Sequence, residues 1–214
     1  MFKSFTTTQI IAKEGWKNIF LIMILFIVSC FIDFGFVVIF FVLLLTLYIY
    51  RNPERIANED DLRAIIAPLD GKIVKIDRVN NGFSDNEKSI HVVIRNLPYN
   101  TGMVRFPTNG ELVDVKTIHG LFLPPFNKLS KKLNERVLMK CKKDTNSFYM
   151  KIRAGMFCRK VHLSSVRGNM KSGNRIAFIV DGSVELFLPI NSRIKLSVGD
   201  YVKSGESILG YFES

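Results

Sequence analysis

Few side chains in this sequence are equipped to move a proton or attack a carbonyl near neutral pH. Histidine is the usual proton shuttle, and there are three: His91, His119 and His162. Cys30, Cys141 and Cys158 form no CxxC pair, and they make no zinc spacing with the histidines. No metal is expected, and the cysteines read as free buried thiols in a reducing compartment. A serine hydroxyl is a weak nucleophile that needs a base within hydrogen-bond reach. Ser183 follows Asp181-Gly182, and Asp70 precedes Gly71. By residue type alone both are turn positions, and Arg105 is a solvated charge.

The elements that must position these residues begin with an apolar stretch. Asn18 to Ile32 and Phe34 to Tyr50 are almost wholly apolar, interrupted by Asp33 and Gly35. One continuous helix would be about 50 Å long against a hydrocarbon core of about 30 Å. Two short transmembrane helices, about 18–32 and 34–50, fit better and place Asp33 at a hairpin tip, in water. Lys13 and Lys17 precede the first segment, and Arg51 and Arg55 follow the second. Basic flanks face the cytoplasm, so residues 1–55 read as an anchor in the cell (inner) membrane with the remainder on its cytoplasmic side. A cleavable signal is disfavoured, because a second apolar run follows at once.

Residues 56–214 are expected to form one β-rich domain. Short β-type runs (Lys72–Ile76, Ile90–Arg95, Glu111–Ile118, Val137–Cys141, Phe148–Arg153, Arg175–Val180, Val184–Leu188) are separated by Gly, Asn, Asp and Pro. The fold class is mostly β: a compact barrel- or sandwich-like domain. Asn127 to Arg136 is a short helix or basic loop. An internal repeat is visible: Lys171-Ser172-Gly173-Asn174-Arg175-Ile176 returns 32 residues later as Lys203-Ser204-Gly205-Glu206-Ser207-Ile208. Each copy predicts an inward Met170 or Val202, a glycine at positive φ, then a strand. The second copy resembles the strand-turn segments of lipoyl-type barrels, but no carrier lysine is present.

The net charge is +11, nearly all of it beyond residue 50. Such an excess seeks an acidic partner. An anionic phospholipid membrane fits. Nucleic acid does not, since no RNP-like, helix-turn-helix or finger pattern appears.

Several short motifs come in order: Tyr50-Arg51-Asn52-Pro53-Glu54-Arg55, Ala67-Pro68-Leu69-Asp70-Gly71-Lys72, Asn134-Glu135-Arg136, Gly182-Ser183, Leu188-Pro189 and Gly199-Asp200. The series resembles the short, membrane-anchored bacterial phosphatidylserine decarboxylases. The resemblance implies a carboxy-lyase that converts phosphatidylserine to phosphatidylethanolamine. It further implies a proenzyme cut at Gly182–Ser183 into large and small subunits. Ser183 would become a pyruvoyl cofactor, an electron sink of the kind other enzymes obtain from pyridoxal phosphate. Asp70 matches the aspartate that supports the serine.

The chain departs from that pattern where the family carries Pro-Phe-Asp-Val-His-Val-Asn-Arg-x-Pro. Here Pro98, Arg105 and Pro107 fix the register, which puts Asn100 at the aspartate and Gly102 at the histidine. His91 or His119 would have to stand in. Asp181 replaces an apolar residue before the Gly-Ser pair. Ser183 to Pro189 is also one residue shorter than the family's Gly-Ser-Arg-Val-Asp-x-Tyr-Leu-Pro, a slip that turns a strand over unless a bulge absorbs it. Two functions follow: the decarboxylase, or a catalytically silent relative that binds phospholipid or a partner at the membrane surface. An efflux-type adaptor is a third and poorer fit, lacking the helical hairpin insert that such proteins need.

Overall fold

The computed structural model describes residues 10–32, 34–55, 61–80, 88–121, 123, 129, 133–144, 146–157, 160–164 and 168–213. Asp33, Cys158 and most of 127–132 lie outside the described residues, and with them the expected hairpin tip and basic loop.

Two apolar helices come first, α1 (Trp16–Ile32) and α2 (Phe36–Ile49). With its preceding 3-10 turn, the segment Lys13–Ile32 is long and apolar enough to cross a membrane, with a mean hydropathy of 2.1. The second helix has 14 residues, a length of about 21 Å. The helices meet through Phe26 and Phe40, whose rings lie 5.8 Å apart, and most of their other apolar side chains are exposed.

The two ends of this hairpin are clasped. Ile11 bridges Arg51 antiparallel, Ala12 N–H donates to Tyr50 O at 2.8 Å, and Asn52 N–H donates to Ile10 O at 2.7 Å. Gly15 is required by the closeness of the clasp, since a Cβ there would lie 2.4 Å from the Tyr50 ring. The Tyr50 ring stacks on Phe178, centroids 5.4 Å apart, so the base of the helical hairpin is docked onto the β domain.

Fourteen strands are seen among the described residues: β1 (Ala64–Ile66), β2 (Gly71–Asn80), β3 (Lys88–Asn96), β4 (Met103–Arg105), β5 (Gly110–Ile118), β6 (Arg136–Lys143), β7 (Asn146–Ala154), β8 (His162–Leu163), β9 (Gly168–Met170), β10 (Arg175–Phe178), β11 (Gly182–Pro189), β12 (Arg193–Ile194), β13 (Tyr201–Val202) and β14 (Ile208–Tyr211). They form an eight-stranded sheet, β13-β2-β3-β11-β7-β6-β5-β9, and two three-stranded sheets, β1-β14-β12 and β4-β10-β8. Every pairing is antiparallel. All three sheets contribute to one core, which includes Ile65, Leu209, Val104, Ile176, Val92, Leu186, Ile152 and Met139. The mostly-β expectation therefore holds, and each of the seven predicted runs falls in or across a strand.

The repeat organises the whole. Gly173 and Gly205 adopt φ of 82° and 78°, and Met170 and Val202 are buried, as the sequence predicts. Each copy sends its first strand (β9, β13) to one edge of the large sheet and its second (β10, β14) to the middle of a small sheet. The turns dock alike: Gly173 N–H donates to Phe106 O, and Gly205 N–H donates to Ala67 O.

Replacing Phe178, which is fully buried, by Ala is expected to cost about 3–5 kcal/mol. It should also free the hairpin base, making the chain near residues 51–61 the first site of limited proteolysis in detergent.

Candidate functional site at one end of the central sheet

β11 lies between β3 and β7, and both ladders run without a register shift from Gly182 to at least Phe187. Side chains alternate faces along a strand, and directly opposed residues share a face. Val184, Leu186 and Leu188 therefore enter the core, while Ser183, Glu185 and Phe187 lie on the opposite, outer face. No bulge absorbs the shorter Ser183–Pro189 stretch, so the serine shares its face with Glu185.

The register places a cation on each side of Ser183, Arg95 on β3 and Arg153 on β7. The same row continues to Lys72 on β2 and to Arg136 on β6. Among the described residues no side chain hydrogen-bonds the Ser183 hydroxyl. Gly182 is at φ 145°, and a Cβ there would lie 2.1 Å from Arg153 O; only glycine fits.

Asp181 is structural. Its carboxylate accepts from Met156 N–H at 3.0 Å and Phe157 N–H at 2.9 Å. Its carbonyl accepts from Gly155 N–H. A buried carboxylate at this position thus holds the turn after β7 beside Gly182.

Asp70 lies at the same end of the sheet and is buried, but its bonds go elsewhere. It forms a two-pronged ion pair with Arg55, one contact being Nη2 to Oδ2 at 2.9 Å. It also accepts from Ser204 N–H at 2.7 Å. Two strand spacings, about 10 Å, separate Lys72 from Ser183, and Asp70 precedes that row. Arg105 is buried beside this pair and donates to Gly173 O at 3.1 Å and Pro53 O at 2.9 Å. Burial, with Arg175 and Arg55 nearby, lowers its guanidinium to about 10. It is a buried brace between the segment after α2 and the β domain, where residue type alone suggests a solvated charge.

Asn100 is buried and accepts a hydrogen bond from the Tyr201 hydroxyl. Burial and the nearby Asp70 raise that phenol above its ordinary value. Gly102 is closed over. Its carbonyl accepts from Ile179 N–H at 2.9 Å, and a Cβ would lie 1.8 Å from Ile179 O and 3.2 Å from the Phe178 ring. The Ile179 backbone carbonyl occupies the position a side chain would start from, with the Phe178 ring close beside it.

The two histidines lie away from the serine. His91 is level with Phe187, four residues along from Ser183 and so about 13 Å away. It stacks on Phe187 at 4.4 Å and contacts Glu185 Oε2 at 3.3 Å. His119 follows β5 and contacts Glu135 Oε2 at 3.1 Å, three strand spacings from Gly182. His162 lies on β8, in a small sheet.

Sequence reasoning did not single out Glu185. It is buried and gathers His91, Lys151 at 3.4 Å and Arg153 at 2.6 Å. Burial pushes its carboxyl up, but the His91 hydrogen bond and the charges of Arg153 and Lys151 outweigh this and hold it at about 2. The visible signal was an acid inside the apolar run Val184-Glu185-Leu186. Among the described residues no cluster of metal ligands occurs.

Two outcomes are expected. Because Glu185 is depressed, its contribution to stability is present above the ordinary glutamate range of about 4.3 and is lost as pH falls towards 2. Thermal unfolding of the native chain should therefore weaken steeply across that window, whereas Glu185→Gln should be less stable at neutral pH and flatter below it. Gly102→Ala should cost about 1–3 kcal/mol through overpacking, lowering the melting temperature by several degrees in calorimetry.

Comparison with known proteins fits this arrangement. The family model for phosphatidylserine decarboxylase matches residues 42–210. The phosphatidylserine decarboxylase proenzyme of Ehrlichia ruminantium (strain Welgevonden) is 33% identical over 211 residues, covering 95% of this chain and 91% of the relative. That of Ehrlichia chaffeensis is 33% identical over 213 residues, covering 95% and 92%. The proenzyme of Pelodictyon phaeoclathratiforme is 31% identical over 172 residues, covering 79% and 80%. No solved structure matches at a significant level. The ordered motifs, the β fold they build and these full-length likenesses agree: the chain belongs to the phosphatidylserine decarboxylase family.

Proposed function

We propose that this chain is a membrane-anchored, phosphatidylserine-binding member of its family that, as folded, holds the headgroup without cutting itself at Gly182–Ser183. The observation that carries the reading is the row Lys72, Arg95, Ser183, Arg153 and Arg136 on the outer face of the central sheet. Like charges set side by side across a sheet destabilise it unless an anion lies among them. Glu185 neutralises part of the row through Arg153, and the phosphate and carboxylate of phosphatidylserine would meet the charges of Lys72 and Arg95. Guanidinium forks suit both groups. The exposed apolar hairpin, with its basic flanks, supports a bilayer anchor.

The pyruvoyl group does not fit the residues present. Making it from Ser183 needs a proton acceptor at the hydroxyl. The cross-strand neighbours are cations, Glu185 is engaged by Arg153, and Asp70 is engaged by Arg55 and Ser204. The decarboxylase reading is nonetheless favoured by one specific feature: Gly182–Ser183 stands at the mouth of the central strand, with the glycine in a conformation closed to other residues. In that reading Ser183 is the pyruvoyl precursor, the products of the cut are a large and a small subunit, and phosphatidylserine is decarboxylated on the cytoplasmic side of the membrane.

Intact mass separates the two. The chain purified in detergent should be a single uncut species, unchanged in mass by Ser183→Ala except for the substituted oxygen. It should bind vesicles containing phosphatidylserine more tightly than neutral ones. Arg95→Ala with Arg153→Ala should reduce that preference severalfold. A small fragment starting at residue 183 and blocked to N-terminal sequencing, lost in Ser183→Ala, would overturn this reading in favour of the decarboxylase.

A further inference from the structure

Three loops leave the same end of the central sheet. One follows β3 at Asn96 and one follows β7 at Ala154, both residues being paired with Gly182. The third joins Ile118 of β5 to Arg136 of β6, which face each other across the ladder. Each loop exposes large apolar side chains: Leu97 and Tyr99 in the first, Leu121 and Leu133 in the third, Met156 and Phe157 in the second. Singly exposed apolar residues are ordinary. Six gathered at one end form a patch of the kind that marks an interaction site. The opposite end differs: its described turn residues are mostly polar (Asn80, Asp144, Asn146, Asn191), and its exposed large apolar side chains, Ile190 and Leu62, lie apart, Leu62 with its carbonyl accepting from Lys143 Nζ.

The apolar end is also the anchor's end. Arg51 Nη2 donates to Tyr99 O at 2.9 Å, Arg55 pairs with Asp70 just before β2, and the Arg51 guanidinium lies 3.9 Å over the Tyr48 ring where α2 ends. The loops are held firmly: Asp181 fixes Met156 and Phe157 through their N–H groups, and Leu121 N–H donates to Leu133 O at 2.7 Å. Directly behind them runs the cation row of Arg95, Arg153 and Arg136.

We propose that these six side chains form a rim that enters the interfacial layer of an anionic bilayer, with the cation row seated at the phosphate level behind it. This rests on the anchor reading given above and adds an orientation to it. The sheet stands on the membrane by the end that carries Gly182, so a lipid headgroup reaches the outer face of β11 without leaving the bilayer. Continuity with the apolar hairpin and the sign of the adjacent charge select a lipid surface as the occupant. Apolar tips in front of basic side chains are the arrangement that interfacial binding requires.

Full-length protein with Trp16→Phe, carrying one new tryptophan at Phe157→Trp, Tyr99→Trp or Ile190→Trp, is reconstituted into phosphatidylcholine–phosphatidylserine vesicles. Lipids brominated near the headgroup should quench the tryptophans at 157 and 99 severalfold more than that at 190, with blue-shifted emission at the first two positions. Co-flotation with equally weak quenching at all three positions would overturn the rim and leave the anchor standing. Failure to co-float would overturn the anchor reading, and the rim with it. Equal quenching in vesicles without phosphatidylserine would overturn the part assigned to the cation row.

Discussion

The uninterrupted register of β11 between β3 and β7 is the constraint from which the rest follows. With period-two alternation and hydrogen bonds on both sides, the strand has no freedom to choose which face a residue takes. Val184, Leu186 and Leu188 are required by the core, and this sends Ser183 and Glu185 to the outer face. The cross-strand neighbours are fixed by the same ladders, which is why a serine of modest reactivity stands between two guanidinium groups. Glu185 follows from this arrangement too. It is a buried acid that can stay ionised because Arg153, Lys151 and His91 surround it.

A second coupling joins the chemistry to the anchor. At Gly102 the absence of a side chain lets the Ile179 carbonyl close in, with the Phe178 ring beside it. That ring is the surface on which Tyr50 stacks. The glycine at 102 thus goes with the close packing that seats the hairpin. Arg55 and Arg105 add to it by tying the segment after α2 to Asp70, Pro53 and the turn at Gly173. Asp70 and Arg105, which the motifs single out, brace the segment after α2 against the β domain.

Much of this was legible in the sequence, because the signals were local. The longer strands announce themselves by alternation and turn residues, and the repeat by its glycines, whose φ values agree within a few degrees. The two-residue strands β8, β12 and β13 gave no such signal, since their pairing depends on partners far along the chain. The site was half legible. Gly182-Ser183, Asp70 and Gly102 could be read from motifs. That Asp70 would be engaged by Arg55, or that His91 would lie four residues down the sheet from Ser183, depends on long-range register that no short motif encodes. The hidden role of Asp181 has the same origin: its partners, Met156 and Phe157, are more than twenty residues away.

The two repeat copies finish the large sheet with strands of only three and two residues, one on each side. A long unpaired strand invites a neighbouring chain to add on. These short end pieces cover only the starts of β2 and β5, at Gly71 to Ile73 and Gly110 to Leu112, so the rest of each outer edge has no strand beside it among the described residues. Those open edges carry charge instead, Lys75, Asp77 and Arg78 on β2 and Asp114 and Lys116 on β5, the composition that discourages another chain from adding on.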